Sequence, residues 1–190
     1  MKRTALLTLA GLLLVGCVGP TWVTDNSQPQ EAKAIAVSAS LPQGWARYSP
    51  DPDLVMTRDG LLLETIRVSR KAYGSKLENT DRKFTKGIDA QEAAQILIDA
   101  FAADKNRHNL QVVDNRPVAI DGHAGFALEV TYRTPEGLTI RETMYVALVG
   151  DSYVIARFTA PDRHYHELHK GAFEEVVKTL KIAPKTFPKP

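Results

Sequence analysis

Residues 123–159, HAGFALEVTYRTPEGLTIRETMYVALVGDSYVIARFT, constrain the fold more than any other part of this 190-residue chain. Phe126, Leu128, Val130 and Tyr132 alternate with Ala127, Glu129, Thr131 and Arg133, the two-residue period of a strand that buries one face. Thr134-Pro135-Glu136-Gly137 then turns the chain, proline presetting φ and glycine accepting the positive φ that closes the loop. Residues 144–149 are apolar at both parities, which predicts a strand covered on both faces. Gly150-Asp151 makes a two-residue hairpin loop, and residues 153–158 return beside it. A meander whose middle strand is buried twice needs another layer of structure on each side.

Two amphipathic segments can supply those layers. Asp89 is placed to cap a helix, Glu92 completes a capping box, and Ala93, Leu97 and Phe101 with Ala94 and Ile98 form an apolar stripe at helical spacing. That stripe reads as core rather than as a cofactor-binding face. Pro161 stops the preceding strand and Asp162 is expected to cap a second helix. There Tyr165, Leu168, Ala172, Val176 and Leu180 keep the period, and His169, Phe173 and Val177 widen the face. Asp59-Gly60 is expected as a hairpin loop between strands 54–58 and 61–70, and Asp121-Gly122 as another leading into the meander. The expected class is α+β: an antiparallel sheet sandwiched by helices, α/β/α.

The N-terminus carries an address. Lys2 and Arg3 precede an apolar run over residues 4–15, too short for the ~20 residues of a spanning helix, so residues 1–16 are expected to be an export signal. Leu14-Val15-Gly16-Cys17 resembles the lipobox of bacterial lipoproteins, in which the cysteine is lipidated and becomes the first residue after cleavage. The resemblance implies two or three acyl chains on Cys17, and that number anchors stably where one does not. With no aspartate next to Cys17, forwarding to the outer membrane, on its periplasmic face, is implied for a Gram-negative host, and a surface lipoprotein for a Gram-positive one. Of the chain's 24 basic and 22 acidic residues, Lys2 and Arg3 fall in this leader. The rest is formally neutral, which argues against a nucleic-acid partner. Cys17 is also the only cysteine, so the body must hold together by packing alone.

Residues 17–40 read mostly as a lipidated N-terminus and flexible tether, with Trp22 either at the lipid interface or loose within it, and the alternation of Ile35 and Val37 allows a short first strand there. The domain is expected over 41–182, opening at the turn that delivers Trp45, and 183–190 as a loose tail.

Candidate chemistry is sparse. His164, His166 and His169 form the one cluster; His166 and His169 lie three apart, one helical turn, so both could face one metal ion. The alternative is a partly solvated helix face. Loop 70–87 carries six basic residues, Arg70, Lys71, Arg82 and Lys83 among them, and reads either as a solvated crossover or as a surface for an anionic ligand. No phosphate-cradling glycine loop, nucleophile elbow or CxxC pair occurs, so no catalytic residue, metal ligand set or cofactor is assigned.

The Leu41-Pro42-Gln43-Gly44-Trp45 entry, the Asp-Gly hairpin, the midchain helix, the meander and the closing helix together look like the PsbP-like proteins, over roughly residues 41–182. That resemblance implies an α/β/α sandwich and an accessory role in a larger assembly. The leading expectation is a lipid-anchored periplasmic accessory protein that binds a partner protein or envelope component without catalysis. The alternative is a metal- or small-ligand-binding lipoprotein using the histidine cluster or the basic loop.

Overall fold

A computed structural model describes residues 22–187. The described elements are, in order, strands β1 (Trp22–Val23), β2 (Gln30–Ala32), β3 (Val37–Ala39), β4 (Ala46–Tyr48), β5 (Leu54–Thr57) and β6 (Thr65–Ala72), helix α1 (Ala90–Ala102), strands β7 (His108–Ile120), β8 (His123–Arg133), β9 (Thr139–Val149) and β10 (Ser152–Pro161), helix α2 (Glu167–Thr179) and strand β11 (Lys181–Ile182). Eight strands make one antiparallel sheet in the order β1-β4-β5-β6-β10-β9-β8-β7. A smaller sheet, β11-β3-β2, lies apart from it. The class is α+β, as the strand and helix periods predict.

The middle of the meander is buried twice. Alternate residues of β9 go to opposite cores: Met144 and Val146 join α1 residues Ala93, Leu97 and Phe101, whereas Ala147 and Val149 join Phe173, Val176 and Leu180 from the α2 side. Gly125 of β8 pairs with Ala147, and a Cβ built on it would lie 1.8 Å from the Val146 carbonyl oxygen. The close approach of these two strands therefore requires glycine there, although its φ is ordinary. The hairpin at Asp121-Gly122 forms with both residues at positive φ, 47° and 79°, the twist a two-residue turn between strands prefers. Pro117 is accommodated because β7 is an edge strand.

Several expectations give way. The tether does not extend through 22–40: β1 pairs with β4, and Ala32, Ile35, Val37 and Ala39 are buried in the α2-side core. Small apolar residues on alternate positions were enough to build β2 and β3 where the composition suggested a loose linker. Trp22 lies in β1 with its ring 5.2 Å from that of Tyr48, half exposed. The tail is tied as well, since the Ala183 amide donates to Ala36 and its carbonyl accepts from Arg70. Asp162 does not cap α2; it accepts from Arg141, and the irregular turn Asp162–His166 separates β10 from the helix. His164 takes φ 78° in that turn. The helix therefore starts later than the proline suggests, and Leu168 faces solvent instead of the core. Cys17 and the leader 1–16 lie outside the described residues.

Candidate functional site at the β5–β6 loop

Asp59-Gly60 does not form a two-residue hairpin. Pairing of β5 with β6 runs from Leu54 with Val68 to Met56 with Ile66, so the connection spans 58–64. A buried carboxylate organises this longer loop. Glu64 is 1 % exposed, and its Oε1 accepts from the backbone amides of Arg58 at 2.9 Å and Asp59 at 2.6 Å. Thr57 adds a clasp: its hydroxyl donates to the Glu64 carbonyl at 2.8 Å and accepts from the Gly60 amide at 3.0 Å. The Leu63 and Glu64 amides close a turn onto the Gly60 carbonyl. The loop is thus held at its base while its tip carries three leucines outward. Leu62 is wholly exposed, and Leu61 and Leu63 are partly so. Charged groups or turn formers ordinarily occupy such a tip, so three contiguous exposed leucines there are unusual.

Helix α2 closes the base of the loop. His169 is buried, with Nε2 3.2 Å from Asp59 Oδ2, and the indole of Trp45 stands edge-on to its ring at 5.5 Å. One ligand atom from each of Asp59, Glu64 and His169 lies within 4.8 Å of those of the other two. The second Glu64 oxygen, Oε2, is buried without a hydrogen-bond partner.

The three histidines do not act together. His166 is fully buried and turns to β9, with Nε2 2.9 Å from the Thr143 hydroxyl and its ring stacked on Phe158. Burial holds the His166 imidazole below its usual range; Glu129 and Glu167 oppose that shift, while Arg141 and Lys170 reinforce it. His164 is exposed, beside Tyr165. Only His169 faces the acidic pair.

The basic loop is similarly dispersed. Arg70 is buried and donates to Ser152 Oγ and to the carbonyls of Ile35 and Ala183, so it staples both ends of the domain to the sheet. Arg82 pairs with Asp99, Lys76 with Asp81 and Lys86 with Asp151. Lys71 lies on β6 and Lys83 on the exposed loop, so these cations form no common pocket. A cavity of about 430 Å³ between the start of α1 and β7 holds Arg116 as its lone cation. Sequence reasoning found His169 but missed Asp59 and Glu64, which it had placed in a hairpin turn and a strand. The polar clasp across residues 57–64 has no periodic signature.

No family model matches the sequence, and no curated protein matches it. Solved structures do share the architecture. The cyanobacterial PsbP protein CyanoP from Synechocystis sp. PCC 6803 aligns over 92 % of this chain and 99 % of its own, with 14 % identity and a TM-score of 0.53. The Ran-binding protein Mog1p of Saccharomyces cerevisiae aligns over 82 % and 94 %, with 16 % identity and a TM-score of 0.53. The fold is PsbP/Mog1-like. At these identities the likeness reaches the backbone plan and no side chain. In this PsbP/Mog1-like frame the Asp59, Glu64 and His169 cluster sits where the β5–β6 loop meets the start of α2.

Proposed function

We propose that this chain is a lipid-anchored accessory protein of the bacterial envelope that binds a partner protein through the tip of its β5–β6 loop. The observation that carries the reading is the fully exposed Leu62 on a loop whose base is locked by Glu64 and Thr57. A rigid apolar tip loses little conformational entropy on docking, the condition under which a small patch binds well. The fold itself serves a protein-binding protein in Mog1p, which by its name binds Ran, and that analogy supports binding over catalysis.

Lipid on Cys17 is the proposed anchor, with the outer membrane, periplasmic side, as its destination. Five residue steps from Cys17 to Trp22 span at most about 17 Å, so this anchor keeps β1 close to the bilayer. The partner is then a membrane-bound or membrane-adjacent envelope protein with an apolar recess.

A photocrosslinking residue at Leu62 in intact cells tests the binding, and palmitate labelling with Cys17→Ser tests the anchor. A single crosslinked species that Leu61→Asp and Leu63→Asp together abolish is expected. A tip that crosslinks nothing, or the same species at a control site such as Leu168, overturns the docking surface. An unlabelled chain that stays in the membrane fraction after Cys17→Ser overturns the anchor.

A further inference from the structure

We infer that Asp59, Glu64 and His169 coordinate a divalent first-row metal ion, with Zn²⁺ the best fit to the donor set. Three features point there. First, the Asp59 Oδ2 to His169 Nε2 distance of 3.2 Å is close to the ~3.3 Å that separates two ligands bound at ~2.0–2.1 Å to a tetrahedral ion. Second, Glu64 offers a carboxylate within 4.8 Å of both, and its Oε2 is buried with no donor of any kind. A buried carboxylate oxygen is ordinarily paired or ligating, so an orphan beside two other ligand groups needs a positive partner. Third, among the described residues no basic side chain pairs with Glu64; its Oε1 accepts from the Arg58 and Asp59 amides and, at 3.5 Å, from the Thr57 hydroxyl, all neutral donors.

The donors select among cations. One imidazole and two carboxylates suit zinc and its neighbours, whereas Ca²⁺ would need six to eight oxygens and Mg²⁺ a near-octahedral shell. Three protein ligands leave a fourth position, and Asp59, whose side chain is 43 % exposed, is the side from which an ion and that fourth ligand enter. Trp45 packs on the His169 ring and fixes its direction. A neutral His169 would bind the ion through Nε2 with its proton on Nδ1, so the ion takes the place of the Nε2–Asp59 hydrogen bond. The ion would join α2 to the loop that presents Leu62, across 110 residues of chain.

Titration of the purified full chain in detergent with Zn²⁺ alone tests the site, read by calorimetry and by the visible spectrum of the Co²⁺ form. One ion per chain is expected, with affinity about tenfold or more weaker in Asp59→Asn and in Glu64→Gln, unchanged in His164→Gly, and not competed by Ca²⁺. Hydrogen exchange at residues 58–64 should slow when Zn²⁺ is added. Asp59 is exposed and its side chain supports no backbone bond, so Asp59→Asn decides the question even if Glu64→Gln folds poorly. Zn²⁺ affinity that is absent in the parent chain, that survives Asp59→Asn, or that falls equally in His164→Gly overturns the assignment.

Discussion

The Tyr132 hydroxyl donates to Glu142 Oε1 across 2.7 Å, from adjacent strands β8 and β9 at the α1 face of the sheet. Two arginines close on the same carboxylate, Arg107 at 3.4 Å and Arg157 at 3.7 Å, and Arg107 lies 3.9 Å above the Phe101 ring. Burial, then the Glu142 charge, drives the Tyr132 phenol well above its ordinary range, so the phenol remains a donor at any physiological pH. The α1-side core thus ends in a buried charge cluster rather than in hydrocarbon.

That arrangement predicts unequal costs for two substitutions. Glu142→Ala takes one carboxylate from each of two largely buried guanidinium groups, leaving Arg157 to Glu78 and Arg107 to Asp104, and should cost about 2–3 kcal/mol. Tyr132→Phe removes one hydrogen bond from a carboxylate that keeps both arginines, and should cost about 1 kcal/mol. Urea unfolding of both variants measures the difference. Equal losses would mean that Glu142 contributes through the phenol alone.

Glycine-to-alanine exchange should have opposite signs at two sites. At Gly125 the new methyl would meet the Val146 carbonyl at 1.8 Å, a collision with backbone that neither strand can avoid without breaking register. The expected loss is about 3 kcal/mol or more. At Gly171, inside α2, nothing lies within 4 Å of the added carbon, so Gly171→Ala should stabilise by about 0.5–1 kcal/mol through helix propensity. Thermal melts of the pair check both directions, and a stable Gly125→Ala protein would show that β8 and β9 can separate.

The meander and both helices were legible because their apolar periods are long: β9 and β10 run eleven and ten residues, and each helix thirteen. Short strands were not. β2 and β3 hold three residues apiece, so their alternation is too brief to outweigh a small, polar composition, and they form because Val37 and Ala39 join the α2-side core. Charge misled in two places. Arg70 read as surface because arginine is seldom buried, yet its fork suits the two carbonyls and the hydroxyl it holds. Asp59 and Glu64 were hidden because the group they face, His169, lies more than a hundred residues away in the chain. Sequence spacing ranks neighbours along the chain, and a site assembled by a loop and a helix across the sheet leaves no such spacing.

His166 supplies a pH dependence with a definite direction. The Thr143 hydroxyl reaches the Glu129 carboxylate at 3.4 Å as a donor, so it accepts from His166 Nε2–H at 2.9 Å. The buried Nδ1 is left bare, with no donor or acceptor in hydrogen-bonding contact and Glu167 Oε1 3.7 Å away. Protonation would place a charge and an unpartnered N–H in the core, which is why the folded imidazole titrates below the unfolded value of about 6.5. Below that value the unfolded chain binds a proton the folded chain refuses. The contribution of His166 is therefore whole above pH 6.5 and declines as the pH falls from there through its lower folded value. The melting temperature should drop over that range in the parent protein and drop less in His166→Gln, which keeps a donor for Thr143 without a titrating ring. Identical acid limbs for the parent and His166→Gln would assign the acid sensitivity to carboxylates such as Glu78 and Asp104, whose folded forms are held ionised by their partners.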